Sequence, residues 1–249
     1  MEVHHHAHTS RKRWTHYFWE FVMLFLAVFC GFMAENMREH QIERKREKQY
    51  IQSLVQDLKQ DTGFLNYAVG LHDKGCNMID TLIQLLKSNE GNPSTGKIYL
   101  LAKSIPLNDI AIVIRDKTFE QLKSSGSLRL IHRVSVLDSI STYYGKYKFL
   151  SQGPSSMQLR NRQELFLSLE KLFDMKIFQE MAHSANPLIP GYPSSEPALL
   201  SSDNGIINSV CARYHFMYGT RKVIQKEAND LLASAERLIG LLQKEYHLN

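Results

Sequence analysis

Asp61, His72 and Arg221 stand where leucine belongs. Each occupies a position in one of two long runs of heptad-spaced apolar residues. A carboxylate, an imidazole and a guanidinium gathered in a core can hold a ligand or a proton. A buried charge must also be paired, so the same residues can instead set the register or oligomeric state of packed helices. A second cluster lies at the start of the chain, where His4, His5, His6 and His8 are close enough in an extended tail to chelate Zn²⁺, Ni²⁺ or Cu²⁺. No cysteine completes a structural site there, and a His-rich tract is compositional evidence only.

Other familiar chemistry fails on context. Gly91-Asn-Pro-Ser-Thr-Gly-Lys97 matches a phosphate-binding loop until Ile98, which stands where a Mg²⁺-ligating Ser or Thr is required. An amphipathic helix precedes it instead of a strand, and its residues are those of an ordinary turn. HExxH, CxxC, GxSxG and GxGxxG are all absent. The chain carries 30 Lys+Arg against 25 Asp+Glu, a net charge of +5 spread too evenly to mark a nucleic-acid surface. These features point to a protein that is not an enzyme and needs no cofactor.

The elements that would position the three polar residues are long helices. Ile51, Leu54, Leu58, Leu65, Ala68, Ile79, Leu82 and Leu86 share one three-four seam, with Asp61, His72 and Gly75 at its remaining positions. A second seam runs Ile207, Val210, Tyr214, Met217, Arg221, Ile224, Ala228, Leu231, Ala235, Leu238 and Leu242. Each covers about 54 Å of helix. Paired antiparallel with matched ends, they put His72 opposite Arg221, Asp61 roughly three turns away, and Cys76 more than a turn from Cys211. Both thiols are therefore expected to be free.

Shorter amphipathic stretches lie between the seams: one face carries Leu130, Leu137, Ile140, Tyr144 and Tyr147, another Leu165, Leu169 and Leu172. Ser124-Ser125-Gly126-Ser127 predicts a helix stop with a left-handed glycine, followed by a Ser127 cap. Gly153-Pro154-Ser155-Ser156 separates the next pair. Residues 51–249 thus form an all-α, four-helix-bundle-like domain. Ile110 to Ile114 is the one run that suits a short strand, and it suits a buried helical turn equally well. A Pro-rich loop over 183–204 either straps the bundle end or offers Tyr192 to a partner.

Residues 17–34 are apolar with one charge, Glu20, and span about 27 Å as a helix. Trp14, Tyr17 and Trp19 sit at the edge where amphipathic rings favour headgroups. A cleaved signal peptide fits poorly, since Phe32-Met-Ala34 is a weak cleavage site. A lipoprotein signal at Cys30 is opposed by the bulky Phe29, and a buried core helix is the remaining rival. We read a transmembrane helix that continues into a long helix. Ala27 and Gly31 form a small-xxx-small pair that lets spanning helices approach. The basic tail over 1–16 precedes it, and a polar neck over 35–50 follows, solvated because its glutamates offset its cations. The expected location is the inner membrane, single-pass. Keeping Arg11, Lys12 and Arg13 inside makes the N-terminus cytoplasmic and the bundle extracytoplasmic, although a raw Lys/Arg count points the other way.

Trp14-Thr-His-Tyr-Phe-Trp-Glu-Phe21, Ala34-Glu-Asn36, Thr118 to Gly126 and Tyr143-Tyr144 together resemble an uncharacterised family of single-span Bacteroidota membrane proteins, a domain of unknown function. The resemblance implies membrane anchorage and no catalytic residues. The expectation is a non-enzymatic membrane protein that touches the bilayer and assembles with itself or another envelope protein. The alternatives are a ligand-sensing domain with a polar core site and weak metal binding by the tail.

Overall fold

The computed structural model describes residues 14–88, 94–182 and 189–248. These residues form seven α-helices and one 3₁₀ turn, with no strand among them. The protein is all-α. The helices are α1 (Trp14–Lys87), α2 (Thr95–Leu107), α3 (Lys117–Ser124), α4 (Val134–Gln152), α5 (Pro154–Leu169), α6 (Met175–Glu180) and α7 (Asn204–Tyr246); the turn is Ser127–Leu130. Two compact units divide within α1, between Gln49 and Tyr50.

In the first unit, α1 is long and apolar enough to cross a membrane, and none of its apolar window is buried among the described residues. A soluble core helix would bury that surface. Phe21, Phe25 and Phe29 stack along one side at 6.3 and 6.1 Å between ring centroids. Trp14, Tyr17 and Trp19 are all exposed. The neck is helical and largely exposed, with Arg38 donating to Glu35 one turn away at 2.9 Å.

The second unit is a bundle built on the two seams. Every seam position of α1 from Ile51 to Leu86 is buried, as is every seam position of α7 from Val210 to Leu242; only Ile207 is half-buried. Residues 51–68 share a core with residues 224–242, and residues 79–86 share another with residues 210–217, so α1 and α7 run antiparallel. The third rod is composite. Arg133 pairs with Glu245, while Asn161 donates to Thr220 at 2.6 Å and Arg213 pairs with Glu164. Helices α4 and α5 therefore follow one another along α7, broken at Gly153 and Pro154. Proline lacks an N–H to continue the α4 ladder but suits the first turn of a new helix.

Because α1 ends at one end of the bundle and α4 starts at the other, the chain must return between them. Helix α2 covers one end, and residues 109–115 then run back outside any helix. Ile112 and Ile114 face inward and Val113 faces out. That alternation is strand-like, yet no strand pairs with it; the segment is neither the paired strand nor the helical turn that its composition suits. Gly126 ends α3 in the left-handed conformation (φ 67°). Ser127 does not cap α4: its hydroxyl accepts a hydrogen bond from Ser125 at 2.8 Å, and Arg133 holds the cap position without a side-chain bond.

Candidate functional site

A segment laid along a bundle with one side inward has backbone groups with no ladder to join, and the inward ones need side-chain partners. Asp61 on the α1 seam supplies one, and Tyr144 and Gln158 supply others. Asp61 Oδ1 accepts the Arg115 backbone N–H at 3.0 Å and its guanidinium at 3.3 Å, while Oδ2 accepts the Tyr143 hydroxyl at 3.0 Å. Tyr144 donates its hydroxyl to the Arg115 carbonyl at 3.4 Å. Gln158 of α5 donates to the Ile110 carbonyl at 3.3 Å and to Asp109 Oδ1 at 2.6 Å. Arg221 Nη2 donates to the Ile105 carbonyl at 2.8 Å and pairs with Asp109 Oδ1 at 3.0 Å.

The register follows from two rises. His72 lies beside the Ile110 backbone and Asp61 holds Arg115. The helix covers 11 residues between His72 and Asp61, about 16.5 Å at 1.5 Å each. The extended strap covers five between Ile110 and Arg115, about 16.5 Å at 3.3 Å each. Polar positions 11 apart on α1 therefore meet strap positions five apart.

Two polar centres result. In the first, burial pushes the Asp61 carboxyl up, opposed chiefly by the Arg115 amide and the Tyr143 hydroxyl. Burial and the Asp61 charge push the Tyr143 phenol up as well. In the second, the wholly buried Arg221 guanidinium lies against Gly75, where an added Cβ would stand 1.8 Å from Nη1. Burial lowers the Arg221 pKa against the pull of Asp109, and raises the Asp109 carboxyl against the pull of Arg221. His72, also wholly buried, is held down to about 4 by burial first and Arg221 second. The Ile110 backbone opposes that shift without completing a well-directed bond, because neither imidazole nitrogen has a hydrogen-bond partner of ordinary geometry. Asp109 Oδ2, Arg221 Nε and Arg221 Nη1 are likewise buried and unbonded.

Of the three residues marked by the sequence, His72 and Arg221 come together and Asp61 does not join them. Asp109, Arg115, Tyr143 and Gln158 complete the centres. Only Gly75 carried a signal, as a seam position without a side chain. Two surface clefts, about 540 Å³ between α3 and α4 and about 340 Å³ between α4 and α7, are lined by none of the three.

The other candidates separate as well. His4, His5, His6 and His8 lie outside the described residues; among those described, no group of three or more His, Cys, Asp or Glu is placed to hold a metal. Residues 91–93 also lie outside. The α2 N-terminus beside them is occupied from within: Glu196 accepts the Gly96 N–H at 2.9 Å and the Thr95 hydroxyl at 3.1 Å, where a phosphate would sit. Tyr192 lies over Gly96, and its hydroxyl meets that of Ser94 at 2.7 Å. The described part of the Pro-rich loop is thus a strap over the bundle end, and Tyr192 is engaged inside the chain. Cys76 and Cys211 are buried and free. No family model matches the sequence, and neither a curated protein nor a solved structure is similar to it.

Proposed function

We propose that the chain is a non-enzymatic, single-pass membrane protein whose helical domain assembles with a second copy or with another envelope protein. The observation that carries this reading is the outer surface of α5. Leu159, Phe166 and Leu167 are 51, 52 and 69% exposed and lie within about 100° of one another around a helix of 16 residues. Apolar side chains concentrated on one element mark an association surface more often than scattered ones do. Asp61 supports the same reading from the other side, since its hydrogen bonds run to Arg115 and Tyr143 within the chain.

The location is the inner membrane, with α1 crossing through residues 17–34, the N-terminus cytoplasmic and the bundle outside. Ala27 and Gly31 would bring two spanning helices together, and Trp14, Tyr17 and Trp19 would rest among headgroups. Native mass spectrometry in detergent should detect an oligomer or a retained partner. Phe166→Glu together with Leu159→Glu should release monomers with an unchanged helical spectrum. Monomers alone in the unsubstituted protein, with no retained partner, refute the assignment.

One observation favours a sensing role instead: the unbonded nitrogens of Arg221 and His72 are suited to a small anion. That reading requires a thermal shift with such an anion, abolished by Arg221→Leu.

A further inference from the structure

The cleft between α3 and α4 encloses about 540 Å³, within the size range of small-molecule sites. Its middle is aromatic, with Phe119 stacked on Tyr144 at 4.0 Å between centroids and 6° between planes. Beside that pair the wall is the backbone of Gly145, where a side chain would meet nothing within 4 Å. A helical glycine leaves such a wall open, and lets a guest approach the backbone, at a cost of about 1 kcal/mol in helix propensity.

The charges of the cleft are balanced, two acids against two lysines, but only one pair is closed. Lys123 lies 3.2 Å from Glu120 on the same helix. Asp116 occupies the N-cap position of α3, yet its side chain makes no capping bond. Neither Asp116 nor Lys148 has an ion-pair partner among the described residues. Both line the cleft, Asp116 at the start of α3 and Lys148 on α4 beyond Tyr144 and Gly145. An open anion and an open cation beside an aromatic wall select a molecule carrying both charges and an apolar body. A net anion such as a nucleotide would meet two carboxylates.

We propose that this cleft binds a small zwitterion with an apolar or aromatic side chain, of which a free aromatic amino acid is the simplest. Its ammonium sits on Asp116, its carboxylate on Lys148, and its side chain lies against Phe119 and the Gly145 backbone. This site is independent of the assembly surface and of the Arg221 centre, and it shares Tyr144 with the Asp61 centre.

The test is calorimetric titration of the detergent-solubilised full chain with L-phenylalanine, L-tyrosine and L-leucine. The controls are 3-phenylpropionate and phenethylamine, which each lack one charge. At least one amino acid should bind saturably and raise the melting temperature, with both controls at least tenfold weaker. Gly145→Leu should remove binding without lowering the melting temperature, since it fills open space and improves helix propensity. Lys148→Glu, a substitution at an exposed position, should weaken binding at least tenfold whatever Gly145→Leu does to the fold. Failure of all three amino acids to bind more tightly than the controls overturns the proposal, as does unchanged affinity in Lys148→Glu.

Discussion

The two polar centres serve the same strap by different means. Around Asp61 every carboxylate oxygen is bonded, and the charged partner, Arg115, keeps 47% of its side chain exposed. Around Arg221 both members of the ion pair are enclosed, at 0 and 1% exposure, and several of their atoms make no bond. A carboxylate that accepts backbone and hydroxyl donors recovers most of its lost hydration. An enclosed ion pair with unbonded atoms does not, and is held by geometry at a net cost. The first centre therefore anchors the strap, whereas the second fixes where α2, α5 and α7 meet it.

Removal of one charge from each centre should separate them most clearly. Asp109→Ala leaves Arg221 buried and uncompensated and should destabilise the protein by about 3–5 kcal/mol. Asp61→Ala leaves the Tyr143 hydroxyl and one amide unbonded while Arg115 turns to solvent, so about 1–3 kcal/mol is expected. Urea denaturation of the detergent-solubilised protein, followed by far-UV dichroism, measures both, and equal losses would erase the distinction.

Acid should act through the second centre. The folded His72 pKa of about 4 lies below the ordinary value of 6.5, so the unfolded chain binds the extra proton. The folded state is therefore fully favoured above pH 6.5 and loses stability as the pH falls toward 4. The shift of about 2.5 units corresponds to about 3 kcal/mol at most. Asp61 and Asp109, raised by burial, have the opposite sign: their contribution weakens as pH rises from the acid side. Unfolding titrations of the parent and His72→Gln isolate the histidine, and identical acid dependence in the two would dismiss it.

Gly75→Ala forces a Cβ onto the pinned guanidinium and should cost about 1–3 kcal/mol in the parent, and much less in a background that carries Arg221→Met with Asp109→Leu. The smallest effect is expected from replacing the enclosed pair as a unit. Arg221→Met with Asp109→Leu should be neutral or mildly stabilising, because two desolvated charges are exchanged for apolar volume. Strong destabilisation of that double variant would mean that the pair contributes more than position.

Both seams were legible because packed helices repeat a three-four spacing over many residues, and the exposed apolar segment because a run of that length with a single charge, Glu20, stands out in any sequence. The polar residues on the seams were visible as exceptions, and the antiparallel register already placed His72 near Arg221. Ser127 misled because a serine beside a glycine fits a cap in many contexts, and here a 3₁₀ turn intervenes. Asp109, Arg115 and Gln158 carried no signal, since each gains meaning only from a residue 48 or more positions away.

Composition and periodicity, which are local properties of the chain, were sufficient to specify helices, an apolar span and the faces that turn inward. The partner of each inward polar group was settled only on folding. The return from α1 to α4 has to run along the bundle, its inward amides and carbonyls need bonds, and the bundle satisfies them with Asp61, Tyr144 and Gln158.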